Sequence, residues 1–525
     1  MKKTIFTRGF LLIGMLFAMA PGMLFGGGGS QGAASGGASG SKTYNGIDVS
    51  VPQTIRMYLL GDKPKDFDMV YAELNKRFQE KLNVTVSVSF LSWAEHGQKY
   101  PLLFSGGEDF DLIFTAAQWA HYETTAAMGG FYALTLDFIQ KYAPGIKATV
   151  PQVGWDQAAI AGKIYMVPQY QNEFNADVVA LRGDIMAKYG YTDMTSLDQL
   201  IEFYDKVAAD QASTGISPLG NASGGLLYDY FRQNGMAVMP GSMSEFFIYH
   251  TQDPSDTKVS YLLDWPLFER YCQAMKTYYE RGFWSKDSLA STDQRQDGLL
   301  RGTAVSMVWN IGSVKSFVDE ANKAHPMWNI NMYDLYPNMP KGVKPYINNG
   351  MSVNAASRKK ERAMMVLDLL YTDKEIHDLA LYGIEGMHWK AVGDDQYEKL
   401  AKSVDFSPGA YCNWGWNNQN LLRTEYVANP TLVDLKAREL EGSWNKNVKP
   451  DHLFDGFSFD KSKITSEVAM VESIVAEYYT PLISGMAGDV SAAIRVLRTQ
   501  LENAGIQRII NEFNTQAAAF VAARK

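Results

Sequence analysis

Between Thr54 and Phe90 the hydrophobic period of the chain changes twice, and that alternation limits the folds open to it. Thr54 to Leu60 reads as a strand, Asp68 to Leu82 carries Val70, Leu74, Phe78 and Leu82 at helical spacing, and Val84 to Phe90 alternates at a period of two. Strand, helix and strand in that order form a right-handed crossover, which places both strands in one parallel sheet. A further helix and the short run Asp111 to Phe114 repeat the unit, so the first lobe is α/β. The chain has 525 residues, 46% of them hydrophobic, enough apolar surface for more than one core. Two lobes are therefore expected.

Trp155 to Tyr170 contains a Gly162-Lys163 turn and a short β run that Pro168 limits. Beyond it, Asp184 to Tyr189 begins a helical region, and Ser196 with Gln199 forms a capping box ahead of Leu197, Leu200 and Ile201. A second lobe is expected to start here. Thr303 to Trp309 returns to β character and reads as a passage back to the first sheet, with lobe crossings around Gln169 to Glu173 and Lys341 to Met351 building a hinge. Ser357 is placed to cap a helix through Met364, Leu367 and Leu370, Thr372 and Glu375 form another capping box, and Gly383 ends that helix. Val468, Val471 and Val475 share one helical face, and Ile506, Ile509, Ile510 and Phe513 another. There is no internal repeat.

The first residues point to export. Lys2, Lys3 and Arg8 form a positive segment, and Phe10 to Ala20 is an apolar run of signal-peptide length that Pro21 and Gly22 interrupt before it could cross a membrane. Leu24-Phe25-Gly26 looks like the start of a lipobox, but Gly27 stands where thioether lipidation needs a cysteine. Cleavage near Gly26 and release to the periplasm, with the lipid anchor in doubt, is the expectation. Residues 27–45 follow as a flexible Gly/Ser tether.

The net charge is −8 with basic residues interspersed among acids, so no face is available for nucleic acid. Cys272 and Cys412 make no disulfide framework, and nothing at metal-ligand spacing surrounds either. HExxH and Walker A patterns are absent. Neither a metal, a cofactor nor a catalytic residue is expected. Asn221-Ala222-Ser223 fits a glycosylation sequon and is read as incidental in a bacterial exported chain.

Several segments resemble, in order and spacing, the family 1 extracellular solute-binding proteins of ABC importers: DFDLIFT at Asp109 to Thr115, LTLDFIQKYAPG at Leu134 to Gly145, GKIYMVP at Gly162 to Pro168 and LRGDIMAKYG at Leu181 to Gly190. Asn348 to Trp389 resembles a subgroup of oligosaccharide-binding lipoproteins, and Phe454 to Gly485 with Leu501 to Gln516 is similar to that subgroup's C-terminal extension of unknown function. The resemblance implies an α/β, two-lobed periplasmic-binding-protein-like fold of type II with an added C-terminal helical extension. It also implies ligand-driven closure of a cleft and delivery to the permease subunits of an ABC importer, by a monomer. The expected division is residues 46–168 with a return segment at 303–350 as lobe 1, 169–302 with 351–450 as lobe 2, and 451–525 as an extension packed on lobe 2.

A sugar presents apolar C–H faces and a rim of hydroxyls, so its site stacks aromatic rings and supplies planar polar groups. Trp93, Trp119 and Trp309 each follow or close a strand, where open α/β sheets bind ligands. They are expected on one side of the cleft, with Trp414 and Trp416 from the segment YCNWGWNNQN, Tyr411 to Asn420, on the other. Tyr170, Gln171, Asn172 and Glu173, with Asn348 and Asn349, lie at the two crossings and are either ligand donors or hinge bonds. Glu385 and Trp389, after the Gly383 stop, could face the same cleft. Each tryptophan taken alone also fits ordinary packing. An exported glycoside hydrolase, using two of Glu95, Asp111 and Glu385, and a surface adhesin or scaffold are the alternative functions.

Overall fold

In the first helix, Phe67–Leu82, the residues buried are Phe67, Val70, Tyr71, Leu74, Phe78 and Leu82, the stripe that the sequence periodicity marks. Asn83 ends it in the left-handed conformation, and its side-chain amide donates to the Ser50 carbonyl at 2.7 Å. Each of the larger side chains contributes about 1.5–3 kcal/mol by leaving water, so this one face fixes the helix to the sheet. The structure is a computed structural model that describes residues 42–117, 119–220 and 226–524. The signal peptide, most of the tether and the sequon lie outside the described residues. Thr43–Tyr44 already pairs with Ile47–Asp48 across an Asn45-Gly46 turn, and Tyr44 and Ile47 rest on the first core, so the tether stops short of residue 45.

The first lobe is built on a five-stranded sheet ordered Val84–Leu91, Gln53–Leu60, Leu112–Thr115, Gly350–Val353, Val167–Pro168. The first three strands are parallel, and Gly350–Val353 runs antiparallel to both of its neighbours. Buried Asp111 ties the late strand's loop to this sheet: it accepts from the Arg56 amide at 2.8 Å and the Ser357 hydroxyl at 2.7 Å, and pairs with Lys359 at 2.8 Å. Ser357 therefore does not cap the helix that follows, which begins at Lys360, and the next helix is capped by Asp373 accepting from the Ile376 amide, not by Thr372.

The second lobe centres on an antiparallel sheet, Ser306–Asn310, Asp177–Leu181, Asn331–Tyr333, with a three-stranded meander, Met236–Val238, Phe247–His250, Val259–Tyr261, beside it. Ser196 accepts from the Gln199 amide as expected, while the Gln199 side chain reaches the Thr195 amide. The expected division of the later chain is corrected on both counts. Thr303 to Trp309 does not return to the first sheet, because Ser306–Asn310 pairs with Asp177–Leu181 in the second lobe. Most of 351–450 does not join the second lobe either: Gly350–Val353 enters the first sheet, and the helix Lys360–Thr372, Tyr411 and Trp416 are buried in the first core. Only Leu432–Lys446 crosses back, burying Val433, Ala437, Leu440 and Trp444 against the second lobe. Hydrophobic pattern shows that a segment is a strand, not which sheet completes its ladder. Residues 454–521 share one core with the second lobe, where Phe247 and Phe513 stack at 3.8 Å.

The lobes are joined by extended segments bonded side to side. Gln169 donates its amide to Asn349, Tyr170 to Asn417, Asn175 to Gly342, and Lys341 to Asn447, at 2.8–3.0 Å. A buried ion pair, Lys341 with Asp334 at 2.9 Å, anchors this bundle, and the Trp444 indole N–H donates to the same carboxylate at 2.9 Å. Cys272 and Cys412 are buried free thiols in different cores.

Candidate functional site

The parallel strands Gln53–Leu60, Val84–Leu91 and Leu112–Thr115 end at one edge of the first sheet. Trp93 and Trp119 follow two of these ends and are 39% and 37% exposed, unusual for indoles in a chain with this much core. Trp414 joins them from far along the chain. The Cys412 amide donates to the Leu60 carbonyl at 2.8 Å, Tyr411 bridges Gly61, and the turn Asn413–Trp416 lies against the strands. Gly415 allows that approach: a Cβ there would stand 2.8 Å from the Phe114 ring and 2.9 Å from the Met351 sulfur.

The result is an aromatic ledge. Trp93 and Trp414 are parallel within 9°, with ring centroids 6.2 Å apart, and Phe114 meets Trp119 at 5.5 Å and Trp414 at 6.1 Å. His96 sets its edge to both Trp93 and Trp119, at 5.9 and 6.3 Å, and its Nδ1 lies 3.0 Å from the Trp93 carbonyl oxygen. The Trp119 indole donates to the Asn348 carbonyl at 3.2 Å, which joins the ledge to the hinge.

At the hinge, Glu173 accepts from Lys344 at 3.1 Å and from the Asn348 amide at 3.3 Å. Gln171 accepts from Asn417 at 2.6 Å, the Asn172 backbone donates to Gln419 at 3.2 Å, and buried Asn349 donates to Gln169 at 3.3 Å. Tyr170 stacks on Tyr346 with centroids 6.1 Å apart. These groups hold the hinge together and carry spare hydrogen-bonding capacity beside the ledge. The buried Asn417 side-chain oxygen Oδ1, in particular, has no protein donor.

In the second lobe, Trp309 is the penultimate residue of its strand, in register with Val178, and Asn310 with Asp177. It stacks on Phe317 at 6.2 Å, and the exposed Arg295 guanidinium lies 5.0 Å from its ring. The expected grouping of the indoles is thus corrected: Trp309 belongs to the second lobe, and Trp93, Trp119 and Trp414 to the first. Trp416 is fully buried in the first core, because residues two apart in a turn of about three residues per revolution leave it in different directions. Trp389 is also core, donating to the Gly383 carbonyl at 2.8 Å and packing on Tyr382, while exposed Glu385 accepts from the Ala391 amide at 3.3 Å and pins that hairpin. Neither is brought to the ledge. His96, Phe114, Tyr346 and Gln419 escaped the sequence reading; His96, three residues after Trp93, is the one a spacing argument could have found.

Among the described residues no three His, Cys, Asp or Glu side chains are grouped to hold a metal ion. No described helix is long and apolar enough to cross a membrane. Surface hollows of about 710 and 470 Å³ flank the edge strand Val259–Tyr261 and share no residue with the ledge.

Comparison with known proteins assigns the scaffold. Residues 453–522 match a domain of unknown function. The chain is 25% identical over 484 residues to a carbohydrate ABC transporter substrate-binding protein of Streptococcus pneumoniae serotype 4, covering 90% of this chain and 91% of that one. The crystal structure of the N-glycan transport solute binding protein NgtS from Streptococcus pneumoniae superposes with a TM-score of 0.69 at 21% identity, over 90% of this chain and all of that one; its complex with Man5GlcNAc gives 0.67. An HMO-binding, ABC-transporter-associated solute binding protein from Bifidobacterium longum infantis gives 0.58 at 13% identity, over 90% and 99% of the two chains. The model of bacterial extracellular solute-binding proteins matches residues 63–376, well over half of the chain and both lobes of the hinge, and the chain belongs to that family.

Proposed function

We propose that this protein captures a sugar or oligosaccharide between its lobes and presents it to the permease subunits of an ABC importer. The observation that carries the reading is the ledge of Trp93, Trp414 and Trp119 at the carboxyl edge of the first sheet; Trp309, on a strand of the second lobe, would supply the other side. The apolar face of a pyranose matches such a ledge, and the amides and carboxylate of Gln171, Asn172, Glu173 and Asn348 beside it suit a rim of hydroxyls. Relatives named for carbohydrate or glycan binding support the same class.

Binding without turnover is part of the proposal. The three acids considered for a hydrolase each have another partner: Glu95 is paired with Lys99 at 2.8 Å, which holds its carboxyl below the usual range, Asp111 is buried with Lys359, and Glu385 pins a hairpin. Export follows the extracellular family, and Gly27 offers no thiol for thioether lipidation at the lipobox position. The test is heat stabilisation by Man5GlcNAc and a wider panel of sugars, peptides and polyamines, with chromatography of each mixture. Stabilisation by a carbohydrate without new products is expected. New sugar products would establish a hydrolase, and no stabilisation by any panel member would leave a scaffold.

A further inference from the structure

The C-terminal extension meets the second lobe at one carboxylate. Glu245 lies in the loop between the first two strands of the meander, and its two oxygens serve two phenols: Tyr228 donates to Oε1 at 2.9 Å and Tyr479 to Oε2 at 3.2 Å. Tyr479 belongs to the extension, is 1% exposed, and stands in a π-helical turn, Val475–Tyr479, an irregularity that aims a side chain a regular helix would direct elsewhere. Tyr228 is 43% exposed on the first turn of Leu226–Gln233, within electrostatic reach of Arg295, the cation that covers Trp309. Burial, and then the Glu245 charge, push both phenols well above their usual range, so both remain donors.

The loop is held in an unfavourable shape. Ser244 and Glu245 are consecutive non-glycine residues with φ of 43° and 59°, a conformation that persists only where the surroundings impose it. The surroundings here are the extension. Phe246 meets the Tyr479 ring at 5.1 Å, and Gly241 passes so close to Phe459 that a Cβ would lie 2.9 Å from its backbone nitrogen.

We propose that the extension braces the second lobe's side of the cleft, with Tyr479 and Glu245 as positioning residues that set Tyr228 and, beside it, Arg295 and Trp309. The proposal rests on the cleft reading above and assigns a role to residues 453–522. Tyr479→Phe removes one oxygen and keeps the ring. In the ligand-free protein it should speed amide exchange at residues 226–233 and 242–246 at least threefold, leaving the first lobe unchanged. Toward Man5GlcNAc, or the panel carbohydrate that stabilises the wild type, it should weaken binding about 5–10-fold. Tyr228→Phe should add little to that loss, whereas the two losses would multiply if the residues acted separately. Glu245→Gln, which still accepts from one phenol, should fall between wild type and Tyr479→Phe. Unchanged exchange at 226–233 in Tyr479→Phe overturns the brace whatever the ligand. A wild type that binds no panel member overturns the cleft reading and leaves the exchange measurement to decide the brace.

Discussion

The indole rings of Trp93 and Trp414 lie parallel, 6.2 Å apart, on a scaffold that brings a residue just beyond the second strand to a turn near the end of the first lobe. Trp93 comes with its own strand end, but Trp414 arrives only because the segment at Tyr411 to Trp416 docks on Leu60 and Gly61. Trp93→Ala or Trp414→Ala should weaken carbohydrate binding by about 1–3 kcal/mol with the fold intact. Trp416→Ala, which empties a core position two residues away, should lower stability by about 3–5 kcal/mol. Calorimetric titration with thermal unfolding of the three variants separates the two outcomes.

A single glycine underlies this docking. Gly61 has φ of +112°, and a Cβ there would stand 2.9 Å from the Tyr411 Cα and 3.2 Å from the Trp93 ring. Gly61→Ala should cost about 2 kcal/mol or more of stability and displace both ends of the ledge. Denaturant unfolding reads the first effect, and a shift in tryptophan fluorescence of the ligand-free protein reads the second.

His377 gives the protein a pH dependence of known sign. It is fully buried with no partner on either ring nitrogen, and burial, helped by the Lys374 charge, lowers its pKa to about 3. The folded state keeps it neutral, while the unfolded chain protonates it below about 6.5. Stability is therefore lost as pH falls from about 6.5 toward 3, by at most about 1.4 kcal/mol per pH unit. Asp229 and Asp368, both pushed up to about 6 by burial, act the other way, favouring the folded state as pH falls below 6. Those two terms cancel between wild type and His377→Leu. The stability difference between these proteins should be flat from pH 7 to 9 and should widen in favour of the variant from pH 6.5 to 4.

The elements themselves were legible because each has a local cause: the Phe67–Leu82 stripe, the Ser196 cap and the hydrophobic face of Ile506, Ile509 and Phe513 are set by neighbours in sequence. Sheet membership was not, since the residues of Ser306–Asn310 and Gly350–Val353 are equally strand-like and only long-range ladders decide where each pairs. The same gap governs the site. Strand-end position singled out Trp93, Trp119 and Trp309, but which lobe each belongs to followed from the ladders, and the burial of Trp416 against the partial exposure of Trp414 two residues before it followed from one turn. Tyr228, Glu245 and Tyr479 carry no sequence signature as a group, because nothing but the shared core brings the extension to that loop.

In the proposed binding mode one carbohydrate touches the ledge on the first lobe and Trp309 on the second. A ligand with more contacts in the closed state shifts the population toward it, which lets an importer tell loaded from empty protein. Small-angle X-ray scattering of the wild type, with and without saturating amounts of a carbohydrate whose binding has been verified, measures this directly. A smaller radius of gyration is expected in the loaded protein; an unchanged radius at verified saturation would overturn closure around the ligand.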